Sequence, residues 1–195
     1  MIAIIDYEAG NIRSVENALE RLGADYLLTA DPERIAQADH VILPGVGEAA
    51  AAMRSLRSRG LDRLIPTLRQ PVLGICIGLQ LMCRHSEEGD TPCLGVFDHA
   101  VRRLADEPGL KIPHIGWNTV EAVSSPLLDG LGAGTWFYFV HSYAAGPGPD
   151  TQAETRYGTQ AFSAVLGRDN FYGTQFHPEK SGSVGERLLK NFIAL

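Results

Sequence analysis

The sequence predicts an α/β fold: a mostly parallel central sheet flanked by helices, with added antiparallel strands in the second half. Three observations predict it. Short apolar runs alternate with helical patterns through residue 84. Those runs are apolar nearly throughout, as in strands buried on both faces, rather than at every second residue. Beyond residue 117, aromatic and β-branched runs bounded by Gly, Pro and Asp follow one another with few helical patterns between them.

Residues 1–7 read as the first buried strand, broken by Gly10-Asn11. Ile12, Val15, Leu19 and Leu22 then recur at helical spacing, and Gly23 closes that helix. Residues 25–29 form a second strand, and Asp31-Pro32 places an N-cap before a proline at the first helical position. The run 40–45, HVILPG, is a strand ending in a turn, and the Ala- and Arg-rich residues 48–59 are helix. A strand over 71–75 leads into a helix over 77–84. In the second half, strands are expected at 117–123, 134–143, 161–166 and 171–176. The last segment, 182–194, is a helix with Val184, Leu188, Leu189 and Phe192 on one side. The only linker-like stretch, AGPGPD at 145–150, is a surface loop, so residues 1–195 read as one domain.

Composition excludes several functions. A net charge of −6 does not suggest a surface for nucleic acid. No apolar run is long enough to span a bilayer, and the start MIAIIDY lacks the basic region and cleavage site of a signal peptide. Cys76, Cys83 and Cys93 make no even framework and no C-x-x-C, which fits free thiols in a reducing cytoplasm.

Chemistry points to Cys76, which stands at the sharp turn between the strand 71–75 and the helix that follows. Such an elbow strains the nucleophile's backbone and crowds its neighbours, so small residues are needed two positions before and after it. Gly74 and Gly78 meet that need, as in G-x-S-x-G with sulfur for oxygen. The start of a helix favours the thiolate form, and the amide of Ile77 is placed to meet an oxyanion. Taken alone, the pattern fits a buried cysteine in a glycine-rich turn equally well.

A thiol nucleophile needs a base. His177 ends an apolar strand in YGTQFHPE, and so belongs at the carboxyl edge of the sheet, as Cys76 does. Pro178 holds His177 extended, and Glu179, two residues on, faces the same side and can fix the imidazole tautomer. Together these residues form a Cys-His-Glu triad. Cys83 reads as core and Cys93 as inert. His40, His85, His99 and His114 have no metal-ligand spacing, so no metal and no cofactor are expected. His141 is open to either a pocket role or a structural hydrogen bond.

GICIGLQ at 74–80, followed about a hundred positions later by FHPE, resembles the class I glutamine amidotransferases, whose fold is flavodoxin-like. The resemblance runs nearly the whole chain. PGVG at 44–47, PHIGWN at 113–118, FVHSY at 139–143, KSG after the HPE triplet, and D-Y-x-x-G-N at 6–11 narrow it to the glutaminase subunits of imidazole glycerol phosphate synthases, enzymes of histidine biosynthesis. Glu48, Glu8-Ala9 and Ile77 depart from the commoner residues of the family without touching the triad.

The resemblance implies that Cys76 attacks the side-chain amide of L-glutamine, that ammonia leaves, and that water hydrolyses the glutamyl thioester. It implies a heterodimer with a cyclase subunit, a (β/α)8 barrel that consumes the ammonia. The second oxyanion donor would come from Val46 or Gly47, and Gly45, Gln80, Ser142 and Tyr143 would bind glutamine. Lys180, Trp117, Asn118 and Asn11 would meet the cyclase. The peptide entering Val46, between two glycines, would flip to switch the activity on. The competing readings are a glutaminase subunit of another synthase such as the pyridoxal phosphate one, a non-catalytic flavodoxin-like regulatory module, and a general cysteine hydrolase.

Overall fold

The structure, a computed structural model, describes residues 1–7, 12–45, 47–122 and 124–195. The first half alternates strand and helix: β1 (Ile2–Ile5), α1 (Arg13–Arg21), β2 (Tyr26–Thr29), α2 (Pro32–Gln37), β3 (His40–Leu43), α3 (Ala49–Ser58), α4 (Leu61–Leu64), β4 (Val72–Ile75) and α5 (Ile77–Met82). The second half is mostly strand: β5 (Cys83–Ser86), β6 (Thr91–Pro92), β7 (Phe97–Arg103), β8 (His114–Ala122), β9 (Thr135–His141), β10 (Tyr143–Ala145), β11 (Thr151–Tyr157), β12 (Gln160–Arg168) and β13 (Phe171–Thr174), closed by α6 (Gly182–Ile193).

A nine-stranded sheet runs in the order β2-β1-β3-β4-β13-β12-β11-β8-β9. Pairing is parallel from β2 through β13 and antiparallel from β13 outwards to β9. The parallel strands are apolar throughout because both faces are covered. Ile2 and Ile4 pack on one side with α1 and α6, and Ala3 and Ile5 pack on the other with α2, α3 and α4. Local signals hold where they were expected. Asp31 caps α2 by accepting from Glu33 N, and Gly23 ends α1 with φ of 65°.

One insertion positions the site. The last strand, β13, returns to the middle of the sheet and pairs with β4 in the register Thr174↔Ile75. Residues 175–177 therefore leave the carboxyl edge directly beside Cys76, and Cys76 N donates to Thr174 O at 2.7 Å.

The expected helix over 77–84 stops at Met82. The carbonyls of Leu81, Cys83 and Arg84 accept from Leu94, Gly95 and Cys93 instead of continuing the helical ladder. Cys83 thus opens β5 in a second sheet, ordered β10-β7-β5-β6. The expected strand over 134–143 divides at Ser142. Its first part lies in the large sheet, and Tyr143 pairs with Arg103 in the small one. Strands β5, β6, β7 and β11 carry no strong apolar signal. His99 lies buried between Phe97 and Val101 in β7, and β11 buries only the small Ala153 and Thr155.

Candidate active site

Cys76 has φ of 51° and ψ of −104°, a conformation that is costly for a side-chain-bearing residue. Its neighbours make room for it. A Cβ on Gly78 would lie 1.9 Å from the carbonyl oxygen of Leu43, and one on Gly74 would lie 2.6 Å from the carbonyl carbon of Gly78. The end of β3, the end of β4 and the start of α5 therefore meet backbone against backbone, and only glycine fits at 74 and 78.

His177 follows β13 in an extended conformation, φ −101° and ψ 97°, but Pro178–Lys180 form a 3-10 turn, so Glu179 reaches the ring from that turn and not along the extended stretch expected from the sequence. Its main chain is clamped: His177 N donates to Tyr138 O at 2.9 Å, and Ser181 Oγ donates to His177 O at 2.6 Å. Its ring Nδ1 lies 2.7 Å from Glu179 Oε1, with side-chain exposures of 2% and 4%. Burial alone would favour the neutral ring. The charges of Cys76 and Glu179 outweigh it and push the imidazole pKa up to about 10. The other ring nitrogen, Nε2, is buried without an aligned partner, although Cys76 lies near enough to act on the ring's charge.

Cys76 and His177 line a cavity of about 290 Å³. Gly45, Gly47, Ile77, Gln80, Ser142 and Tyr143 line it as well. Ile77 opens helix α5, so its amide has no carbonyl within the helix to meet. Gln80 is buried. Its Nε2 donates to Tyr143 O at 2.8 Å and Gln175 Oε1 at 3.0 Å, while its Oε1 lacks a partner. Val46 and Asn11 lie outside the described residues, and so does the peptide whose flip was expected.

Two residues at the site were not singled out from the sequence. Glu88 is the only carboxylate lining the cavity among the described residues, and its Oε2 accepts from Ala49 N at 2.8 Å at the start of α3. No sequence pattern marks it, because a turn between two short strands brings it there. Gln175 is wholly buried and donates from Nε2 to Cys76 Sγ at 3.6 Å. Its signal was present, since it stands two residues before His177 in an extended stretch.

His141 also lines the cavity, and its chemistry differs from that of His177. Burial, then the nearby His114 and, more weakly, His177 push its pKa down to about 3 against the opposing Tyr143 carbonyl. Burial takes His114 down to about 4. Both rings are neutral at neutral pH. Cys83 is buried, with its thiol pushed up by burial, and Cys93 is pushed up to about 11 by the same cause.

Trp117 and Lys180 are exposed. Ile115 and Trp117, on one face of β8, are 60% and 52% exposed, and Trp136 of β9 is 56% exposed. Asn118 turns the other way. Its Nδ2 donates to Arg156 O at 2.9 Å and faces His114 Nε2, so it does not share the surface of Trp117.

Residues 3–195 match the family model of class I glutamine amidotransferases. A protein of Bacteroides fragilis (strain YCH46), named imidazole glycerol phosphate synthase subunit HisH, is 54% identical over 195 residues, covering 100% of this chain and 99% of that protein. A protein of the same name from Haemophilus influenzae (strain ATCC 51907) is 49% identical over 193 residues, 98% of this chain and 96% of its own length. Among solved structures, a glutamine amidotransferase superposes with a TM-score of 0.74 at 20% identity, covering 100% of this chain and 98% of that one. A second, from Thermotoga maritima, gives 0.62 at 18% identity, with coverage of 99% and 82%. These two likenesses concern the fold.

Proposed function

The chain belongs to the class I glutamine amidotransferase family, and from that premise we propose that it is the glutaminase subunit of an imidazole glycerol phosphate synthase, with Cys76, His177 and Glu179 as its triad. One observation carries the assignment of the triad: a histidine 2.7 Å from a buried carboxylate shares a 290 Å³ cavity with a cysteine held in an elbow.

The Cys76 thiolate attacks the side-chain amide carbon of L-glutamine. The oxyanion is met by the amide of Ile77 and by that of Gly47. His177, protonated, gives its proton to the departing ammonia and leaves a glutamyl thioester on Cys76. The now neutral His177 takes a proton from water, which attacks the thioester and releases glutamate and the thiolate. Glu179 holds the imidazole in the tautomer both steps need. At the far end of the substrate, Glu88 supplies a carboxylate for the α-ammonium group, and Gln80 Oε1 and backbone groups of Ser142 and Tyr143 supply further contacts.

Ammonia has to leave this cavity without meeting bulk water. We therefore place the cyclase partner, a (β/α)8 barrel, over the exposed apolar side chains of Ile115, Trp117 and Trp136, with the exposed Lys180, which follows Glu179 in the chain, at its margin. Among the described residues no helix is long and apolar enough to cross a membrane. The three free thiols suit a cytoplasmic setting.

The test is glutamine turnover by the chain alone, with the cyclase, and with the cyclase plus its ribonucleotide substrate. Turnover that rises in that order supports the reading. Turnover absent in all three contradicts it.

A further inference from the structure

Gln175 has no part in the steps above, yet it is wholly buried and touches the nucleophile. An amide side chain has one donating and one accepting end, and the partners here decide which end faces Cys76. The carbonyl of Tyr143 can only accept, so the end of Gln80 lying 2.8 Å from it is the nitrogen. The same nitrogen lies 3.0 Å from Gln175, whose facing end is therefore oxygen. The remaining end of Gln175, an N–H, is left pointing at Cys76 Sγ.

The chain of bonds continues beyond Tyr143. Its carbonyl accepts a second bond from His141 Nδ1 at 2.9 Å. That bond fixes His141 as the Nδ1–H tautomer and leaves its Nε2 as an acceptor. His114 Nδ1 lies 3.1 Å from that Nε2 and so carries the proton, and His114 Nε2 in turn faces Asn118 Nδ2 at 3.4 Å. Asn118 Oδ1 accepts from Thr119 N at 2.8 Å. Each bond in this chain pairs a donor with an acceptor. The sequence of bonds works only while both rings are neutral, and burial keeps them so. His114 is further clamped between Tyr157 and Phe139, with ring centroids 4.1 and 5.1 Å away.

We infer that Gln175 is a second hydrogen-bond donor to the Cys76 thiolate, aimed at the sulfur by the chain Gln80–Tyr143 carbonyl–His141–His114–Asn118. This rests on the reading of Cys76 as the nucleophile. The sulfur anion then lies against both the His177 imidazolium and the Gln175 amide. A hydrogen bond to a charged group is stronger than one to a neutral group, so the amide holds the thiolate more tightly than the uncharged thioester. It thereby assists the release of the thiolate during hydrolysis of the thioester. The chain also explains why two imidazoles at one cavity do different work. His177 carries protons, while His141 is committed at both nitrogens and holds a wall of the cavity in place.

The test uses the chain with its cyclase partner and follows alkylation of Cys76 by iodoacetamide at pH 7, together with kcat and KM for glutamine. Gln175→Met keeps the side-chain length and removes the N–H. Alkylation and kcat are expected to fall about tenfold, with KM within about twofold. Gln80→Met combined with Gln175→Met is expected to slow alkylation no further than Gln175→Met alone, because both act through the same N–H. In the unsubstituted chain, alkylating Cys76 is expected to shift the 15N resonance of the Gln175 side-chain amide, a measurement that needs no variant to fold. An unmoved resonance overturns the inference. So does alkylation of a folded Gln175→Met variant within twofold of the parent, or full additivity of the two substitutions. Cys76→Ala separates the two levels. If it keeps full turnover, the nucleophile reading falls; if it is inactive while Gln175→Met alkylates at the parental rate, only this inference falls.

Discussion

Helix α5 carries a buried, free cysteine at each end, and the two ends differ in backbone conformation, access to the cavity and hydrogen-bond partners. Cys76, before the helix, sits at φ of 51°, lines the cavity, and meets an amide donor from Gln175. Cys83, after the helix, is fully buried, donates its thiol to Leu79 O at 3.6 Å, and has its ionisation suppressed by burial. Both are cysteines in an apolar stretch seven positions apart. The difference comes from what packs against each end: a sheet edge where β13 ends beside Cys76, and the covered interior between the two sheets for Cys83. A reactive thiol is made by its place in the fold, and a helix offers that place at its amino end only when the neighbouring backbones leave room.

The largest expected effect breaks the comparison at its reactive end. Cys76→Ala is expected to lower glutamine turnover by roughly 10⁴–10⁶ while leaving the chain folded, and Cys83→Ala to leave turnover within about twofold. Steady-state turnover and circular dichroism of both variants check this. Next come the partners of Cys76. His177→Asn is expected to fall nearly as far as Cys76→Ala, whereas Glu179→Gln is expected to retain roughly a hundredfold more turnover, because an orienting carboxylate matters less than the proton carrier. Equal losses would assign Glu179 a direct role.

Much of that contrast was legible in the sequence. G-x-C-x-G and H-P-E are local patterns, and neither alone told a nucleophile from a buried cysteine or a base from a strand-ending histidine; the two together did, and the glycine crowding at the elbow and the His177–Glu179 contact are what the structure adds. The alternation of buried strands and helices also fixed which strand ends share an edge. Gln175, Glu88 and the small sheet were harder. Gln175 matters because β13 lies beside β4, a contact across about a hundred residues. Gly89-Asp90 announces the turn beside Glu88, but nothing local says that this turn lies at the cavity. The end of α5 at Met82 depends on residues 93–95 taking its carbonyls, and no local preference encodes that.

A further prediction sharpens the contrast through charge. Removing the sulfur takes one of the two anions from His177 and leaves its burial, so the titration midpoint of that ring is expected to fall from about 10 in Cys76→Ala and to stay unchanged in Cys83→Ala. The ring's proton resonance against pH measures it.

A last expected effect, on stability and not on turnover, appears in acid. His141 and His114 have folded pKa values of about 3 and about 4, below the unfolded value near 6.5. As pH falls below about 6.5 the unfolded chain binds protons that the folded rings refuse. Each ring then costs at most about tenfold in the folded-to-unfolded ratio per pH unit, until its folded pKa is reached. Urea unfolding at pH 7 and pH 5 is expected to show this loss. His114→Phe, which keeps the aromatic stack, is expected to lose less between the two pH values than the parent does.

The most direct test of the central claim is to label the chain, in complex with its cyclase partner, with the glutamine analogue 6-diazo-5-oxo-norleucine and to locate the adduct by peptide mass spectrometry. A single adduct on Cys76, formed in step with loss of glutamine turnover and blocked by excess glutamine, is the predicted result. An adduct on Cys83 or Cys93, or full labelling of Cys76 with turnover intact, would contradict it.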